Sequence, residues 1–188
     1  MHMPSADPAL SGILLLCIDL QPNFLKAIPG ADLVQRRCAF AIQAATGLGI
    51  DVVFTEQVPQ KLGGTTPELL GLVKKSVTFG KITFSALADD GIRDALCNGT
   101  VEHVLLCGIE TSVCVYQTAL DAIAANLQVT LLSDCVASRR SDDARVCLDA
   151  LIRAGVHVLP SESVFYSMLR GVQHPFFRSF TQLVKTYT

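Results

Sequence analysis

Val101-Glu102-His103-Val104-Leu105-Leu106-Cys107, running into Gly108-Ile109-Glu110-Thr111-Ser112-Val113-Cys114, is the stretch whose reading decides the fold. The apolar run 101–107 reads as a strand buried on both faces. From Cys114 to Asn126 apolar residues recur at helical spacing, and Val129-Thr130-Leu131-Leu132-Ser133 is the next strand. Strand, helix and strand in that order form a βαβ unit with a right-handed crossover.

The pattern repeats outward. Downstream, Ser141–Ala154 reads as a helix stopped by Gly155, Val156–Pro160 as a strand, and helices begin at Ser161 and over Pro175–Val184. Upstream, Ile13–Ile18 is an apolar strand, Ala31–Gly47 an amphipathic helix with Gly47 as its stop, and Asp51–Thr55 a second strand. Thr66 is placed to cap a short helix starting at Pro67, the favoured first helical position. Val77–Phe79 reads as a short strand and Asp89–Asn98 as a helix. The fold class is therefore α/β: a doubly wound, mainly parallel sheet with helices on both faces, a Rossmann-like three-layer sandwich. One domain over 1–188 is expected, with 1–11 a flexible N-terminal extension.

Composition excludes several functions. The net charge is −2 and no Lys/Arg cluster exceeds a pair, such as Arg139-Arg140. A nucleic-acid partner has no electrostatic footprint in such a chain. The mean hydropathy is +0.42, yet no apolar run approaches the ~20 residues of a membrane span. The seven cysteines are scattered and the four histidines do not cluster with them. That distribution argues against a disulfide framework or structural zinc and for a reducing, cytoplasmic setting. Gly80-Lys81-Ile82 lacks the Ser/Thr and the earlier Gly of a phosphate-binding loop. Gly47-Leu48-Gly49 follows a helix, not the strand that a dinucleotide turn requires.

Three residues stand out at strand ends, where α/β sheets place their ligands. Cys114 sits at a strand-to-helix turn, a position that favours thiolate. Asp19 ends the first strand, and Lys81 precedes Ile82-Thr83-Phe84-Ser85-Ala86. Each has an ordinary alternative: Asp19 can cap a turn, Lys81 can be a solvated lysine, and Cys114 can be core. Together they make coherent chemistry. The thiol attacks a carbonyl, Asp19 takes its proton and returns it to a leaving amine, and Lys81 stabilises both anions. Backbone N–H groups of Glu110 and Cys114 can hold the oxyanion. Phe24, Gln57, Phe84 and Tyr116 flank these segments as candidate pocket residues.

Three motifs carry a resemblance that spans Ile13 to about Thr186. They are Leu16-Cys17-Ile18-Asp19-Leu20-Gln21, Lys81-Ile82-Thr83-Phe84-Ser85-Ala86, and Gly108–Val115 with Thr118-Ala119-Leu120-Asp121-Ala122. On these the chain resembles the isochorismatase-like cysteine hydrolases, relatives of nicotinamidases and N-carbamoylsarcosine amidohydrolases. Thr55–Gly63, Thr66–Leu69 and the tail Pro160–Phe177 are similar to the isochorismatase domain-containing branch. The resemblance implies Asp19, Lys81 and Cys114 as a catalytic triad, a non-proline cis peptide at Ile109–Glu110, a small-molecule substrate and homo-oligomers. Nicotinamidases carry an Asp-x-His segment and further metal-binding histidines. This chain has Thr55-Glu56-Gln57 at that place and no histidine between His2 and His103. A metal-independent hydrolase of a small amide or related carbonyl compound, without cofactor, is therefore expected. The alternatives are an isochorismate-like vinyl-ether hydrolase and a binding or scaffold protein that keeps the site. Some members of the branch have carried a ribonuclease label, which the charge does not support.

Overall fold

The computed structural model describes residues 10–187. Among these residues six strands form one sheet: β1 Ile13–Ile18, β2 Asp51–Gln57, β3 Val77–Lys81, β4 His103–Ile109, β5 Gln128–Ala137 and β6 His157–Leu159. Every neighbouring pair is parallel, in the order β3-β2-β1-β4-β5-β6. The chain winds one way from β1 to β3, then returns to β1's other side with β4. The doubly wound α/β sheet expected from the sequence is the one that forms.

The long helices are α2 Ala31–Gly47, α5 Asp90–Leu96, α6 Tyr116–Ala124, α7 Ser141–Arg153, α8 Ser161–Leu169 and α9 Phe177–Tyr187. Single turns α1 Pro22–Leu25, α3 Pro59–Leu62 and α4 Pro67–Leu70 shape the loops after β1 and β2. Strand alternation sends β1 into two cores. Leu14, Leu16 and Ile18 join one with residues of α5, α6 and α7; Leu15 and Cys17 join the other with residues of α2, α8 and α9. Of the expected extension over 1–11, residues 1–9 lie outside the described residues, and Leu10 packs against the second core. No described helix is long and apolar enough to cross a membrane.

Two local expectations are corrected. The helix expected to open at Cys114 opens instead with a π-helical turn, Thr111–Val115, before α6. A π turn inserts a residue, so helical spacing misplaces the boundary. Thr66 stands at the N-cap of α4, as expected, but its side chain makes no capping bond: its hydroxyl donates to the Leu20 carbonyl at 2.9 Å, satisfying a buried loop acceptor. Gly47 ends α2, as the sequence suggested. A Cβ there would lie 2.0 Å from the Phe176 ring, so close packing of the segment before α9 requires glycine.

Candidate active site

Register assembles the site at the carboxyl end of the sheet. Ile18 pairs with both Thr55 and Gly108, and Gln57 pairs with Lys81. The ends of β3, β2, β1 and β4 therefore sit side by side, and the switch of winding direction falls between β1 and β4. Ligands bind in the crevice at such a point. Gly108 lets the two strands close: its φ is +116°, and a Cβ would lie 2.0 Å from the Ile18 carbonyl oxygen. The Ile109–Glu110 peptide bond is cis.

Asp19 follows β1 with φ +52°, a left-handed conformation that aspartate tolerates better than most residues. Its backbone N–H donates to the Thr55 carbonyl at 3.1 Å. Its carboxylate, 1% exposed, accepts from Thr55 Oγ1 at 2.8 Å and from Lys81 Nζ at 2.7 Å. Lys81 ends β3 and crosses above β2 to reach it, so its length matters as much as its charge. The ammonium also meets Gln57 Oε1 at 2.6 Å and the Thr83 and Phe84 carbonyls at 3.2 Å each. An ammonium has three protons, so four oxygens saturate it. Gln57 is fixed in turn: its Nε2 donates to the Ile82 carbonyl at 3.1 Å and its backbone N–H to Gln21 Oε1 at 2.7 Å. Gln21 is fully buried and staples the β1 loop to β2.

Cys114 lies in the π-helical turn, 7% exposed. Burial first, then the negative charge of Asp19, push its thiol up to about 12, and the positive charge of Lys81 only partly offsets them. The strand-to-helix position suggested a thiolate. The helix proper begins two residues later, and desolvation disfavours the charged form, so the sulfur keeps its proton at neutral pH. Asp19, Lys81 and Cys114 are thus brought together as one group.

A cavity of about 180 Å³ opens beside the thiol, lined among others by Asp19, Phe24, Gln57, Phe84 and Glu110. Tyr116 is not part of its lining: it opens α6 and packs, partly buried, against the core cluster that includes Cys114. Arg139 does line the cavity, a residue that the sequence showed only as half of a basic pair. Its position just past the carboxyl end of β5 was the available signal, since that edge holds the site. The thiol-flanking Glu110 carboxylate accepts from Arg139 Nε at 2.9 Å and from the Arg139 backbone N–H at 3.0 Å. Among the described residues no group of three or more His, Cys, Asp or Glu is placed to hold a metal ion.

An isochorismatase domain model matches residues 13–163. The chain belongs to the isochorismatase domain family. Isochorismatase domain-containing protein 2 of Bos taurus is 35% identical over 191 residues, covering 97% of this chain and 90% of that protein. Isochorismatase domain-containing protein 1 of Danio rerio is 34% identical over 180 residues, covering 95% of this chain. This family member spans only 62% of the Danio protein's length. The structure of MAR1 ribonuclease from Caenorhabditis elegans superposes with a TM-score of 0.87 at 30% identity, covering 93% of this chain and 90% of that one. The site is carried by an isochorismatase-family hydrolase fold.

Proposed function

We propose that the protein hydrolyses a small amide or related carbonyl compound through a thioester on Cys114. The observation that carries this reading is the buried Asp19–Lys81 ion pair, with side chains 1% and 0% exposed, set against a protonated thiol at the cavity. Such a pair is costly to bury, and a merely structural site has no need of it beside a nucleophile.

The protonated sulfur sets the order of events. As sulfur attacks the carbonyl carbon, its proton passes to Asp19 and the C–O π pair moves to oxygen. The backbone N–H groups of Glu110 and Cys114 receive that oxyanion. When the C–N bond breaks, Asp19 gives its proton to the departing nitrogen. A water then attacks the thioester and loses a proton to Asp19. Collapse expels sulfur, which recovers that proton, and the acid leaves. Lys81 keeps its charge throughout: with every proton engaged, it acts as a fixed counter-ion and not as an acid. Phe24 and Phe84 line the apolar side of the cavity, and Gln57 holds Lys81 on Asp19.

A metal has no part in this reading. The segment where nicotinamidases carry Asp-x-His is Thr55-Glu56-Gln57 here, which offers no histidine. RNA, raised by the name of the Caenorhabditis elegans protein, fits poorly with a net charge of −2. The expected self-association is supported by α7, whose Val146 and Ile152 are 56% and 53% exposed and which buries only Leu151.

The test is a panel of small amides assayed with native protein and Cys114→Ala. Turnover that falls by 10³-fold or more, with acyl-enzyme seen by mass spectrometry in the native protein, is the expected result. Full activity in Cys114→Ala would sink the thioester. Activity that survives in Cys114→Ala but not in Asp19→Asn would point to vinyl-ether hydrolysis instead.

A further inference from the structure

Arg139 is divided between two tasks. Its inner edge, Nε and the backbone N–H, is held by the Glu110 carboxylate. Its two terminal nitrogens meet no hydrogen-bond partner among the described residues, and its side chain is 64% exposed. It forms the shared wall of two spaces: the 180 Å³ cavity at the thiol and an adjoining groove of about 530 Å³ that also holds Ser112, Arg140 and Cys147. Arg140 is already committed, with its Nε 2.6 Å from Asp143 Oδ2. A pocket for a drug-sized ligand runs to about 300–1,000 Å³, so the cavity takes only the reacting end of a substrate and the groove takes the rest. Whatever bridges the two passes the open end of the guanidinium.

We propose that this free edge of Arg139 is an anion-binding site and that the substrate carries a carboxylate beside its scissile carbonyl group. The inference rests on the thioester reading and extends it to a substrate class. A guanidinium anchored at Nε by a carboxylate that also holds its own backbone N–H keeps its two terminal nitrogens outward as a fork, which matches a second carboxylate in two parallel hydrogen bonds. The remaining walls fit the same substrate. Phe24, Phe84 and Val113 offer contact to an apolar body, and Lys81 has no donor left for an anion. Among the described residues, Arg139 is therefore the one cation lining the cavity with N–H groups to offer. Glu110 partly neutralises it, which keeps a neutral substrate tolerable but gives an acid the advantage.

The experiment uses two alkylating probes of nearly equal size on the full chain: iodoacetate, which carries the carboxylate, and iodoacetamide, which does not. Rate constants at Cys114 are read by peptide mass spectrometry, and their ratio is referred to the same ratio for free cysteine. The native protein is expected to favour iodoacetate by about tenfold over that reference, with saturation as its concentration rises, as a charge-assisted pair allows. In Arg139→Gln the ratio should fall to the reference. Arg139→Lys, which keeps charge but not the fork, should keep part of the preference. A native ratio at the reference, or a preference untouched by Arg139→Gln, overturns the anion site while Cys114 alkylation still supports the thiol reading. No reaction at Cys114 with either probe overturns both.

Discussion

At Cys114 two opposite charges compete for the state of one proton, and the outcome can be read by substitution. Asp19 raises the thiol and Lys81 lowers it. Asp19→Asn removes the negative charge, so Cys114 should form thiolate at lower pH than in the native protein. Lys81→Met removes the positive one and should push ionisation to still higher pH. Alkylation rate against pH shows this as two profiles displaced to opposite sides of the native curve. In the proposed reaction both variants should nonetheless lose turnover, Asp19→Asn by about 10²–10⁴-fold, because an easily formed thiolate does not replace a proton carrier. Shifts in the same direction would mean that the two groups do not act on the sulfur as charges. Lys81→Met also strands a buried carboxylate and should cost about 3–5 kcal/mol, read as a lower denaturation midpoint. Asp19, Lys81 and Cys114 were legible from local sequence: Asp19 closes an apolar strand, Lys81 precedes Ile82-Thr83-Phe84-Ser85-Ala86, and Cys114 sits at a strand-to-helix turn. Arg139 was not, since a basic pair after a strand looks like any solvated surface until β5 is known to lie beside β4.

At the scale of elements, the close approach of β1 and β4 depends on one absent methyl group. Gly108→Ala places a Cβ within 2.0 Å of the Ile18 oxygen and 2.6 Å of its nitrogen, at φ +116°. Neither backbone can yield without opening the ladder that holds Asp19 in place. A loss on the order of 3 kcal/mol or more is expected, measured by chemical denaturation, together with loss of activity. A stability like that of the native protein would mean the strands have room that this geometry denies. Elements were readable where local pattern decides them: β1 and α2 were placed to the residue, since an apolar hexamer and an amphipathic heptadecamer leave little choice. The π-helical turn was not readable, because it breaks the period by which helices are found. Nor was Thr66, whose hydroxyl answers to a carbonyl 46 residues earlier in sequence.

For the molecule as a whole, one carboxylate joins four elements. Asp134 on β5 accepts from the Ser161 backbone N–H at the start of α8 at 2.7 Å, from the Ser161 hydroxyl at 2.7 Å and from Arg37 of α2 at 2.8 Å. Arg37 also donates to the Tyr187 carbonyl at the end of α9. Burial opposes ionisation of Asp134, but the two Ser161 bonds and then Arg37 hold its carboxyl below the usual carboxylate range. A folded-state value below the unfolded one gives stability that is present above the unfolded pKa. That stability is lost as pH falls through the folded value. The melting temperature of Asp134→Asn should therefore lie below the native one at pH 7, and the gap should narrow under acid. A gap independent of pH would show that the charge is not what counts. Incubation with a chelator such as EDTA should leave both melting and turnover unchanged, and recovery of lost activity by added metal would contradict the proposed chemistry.

The seven sulfurs are graded by depth. Cys17, Cys38, Cys107 and Cys135 are wholly buried, Cys114 is 7% exposed, and Cys97 and Cys147 are partly open. Cys17 and Cys107 lie 3.4 Å apart across β1 and β4, so they become accessible together only when the centre of the sheet parts. A thiol-labelling time course in mild denaturant thus doubles as a depth gauge: the surface pair marks time zero, Cys114 reports breathing at the crevice, and the central quartet timestamps the rupture of the molecule itself.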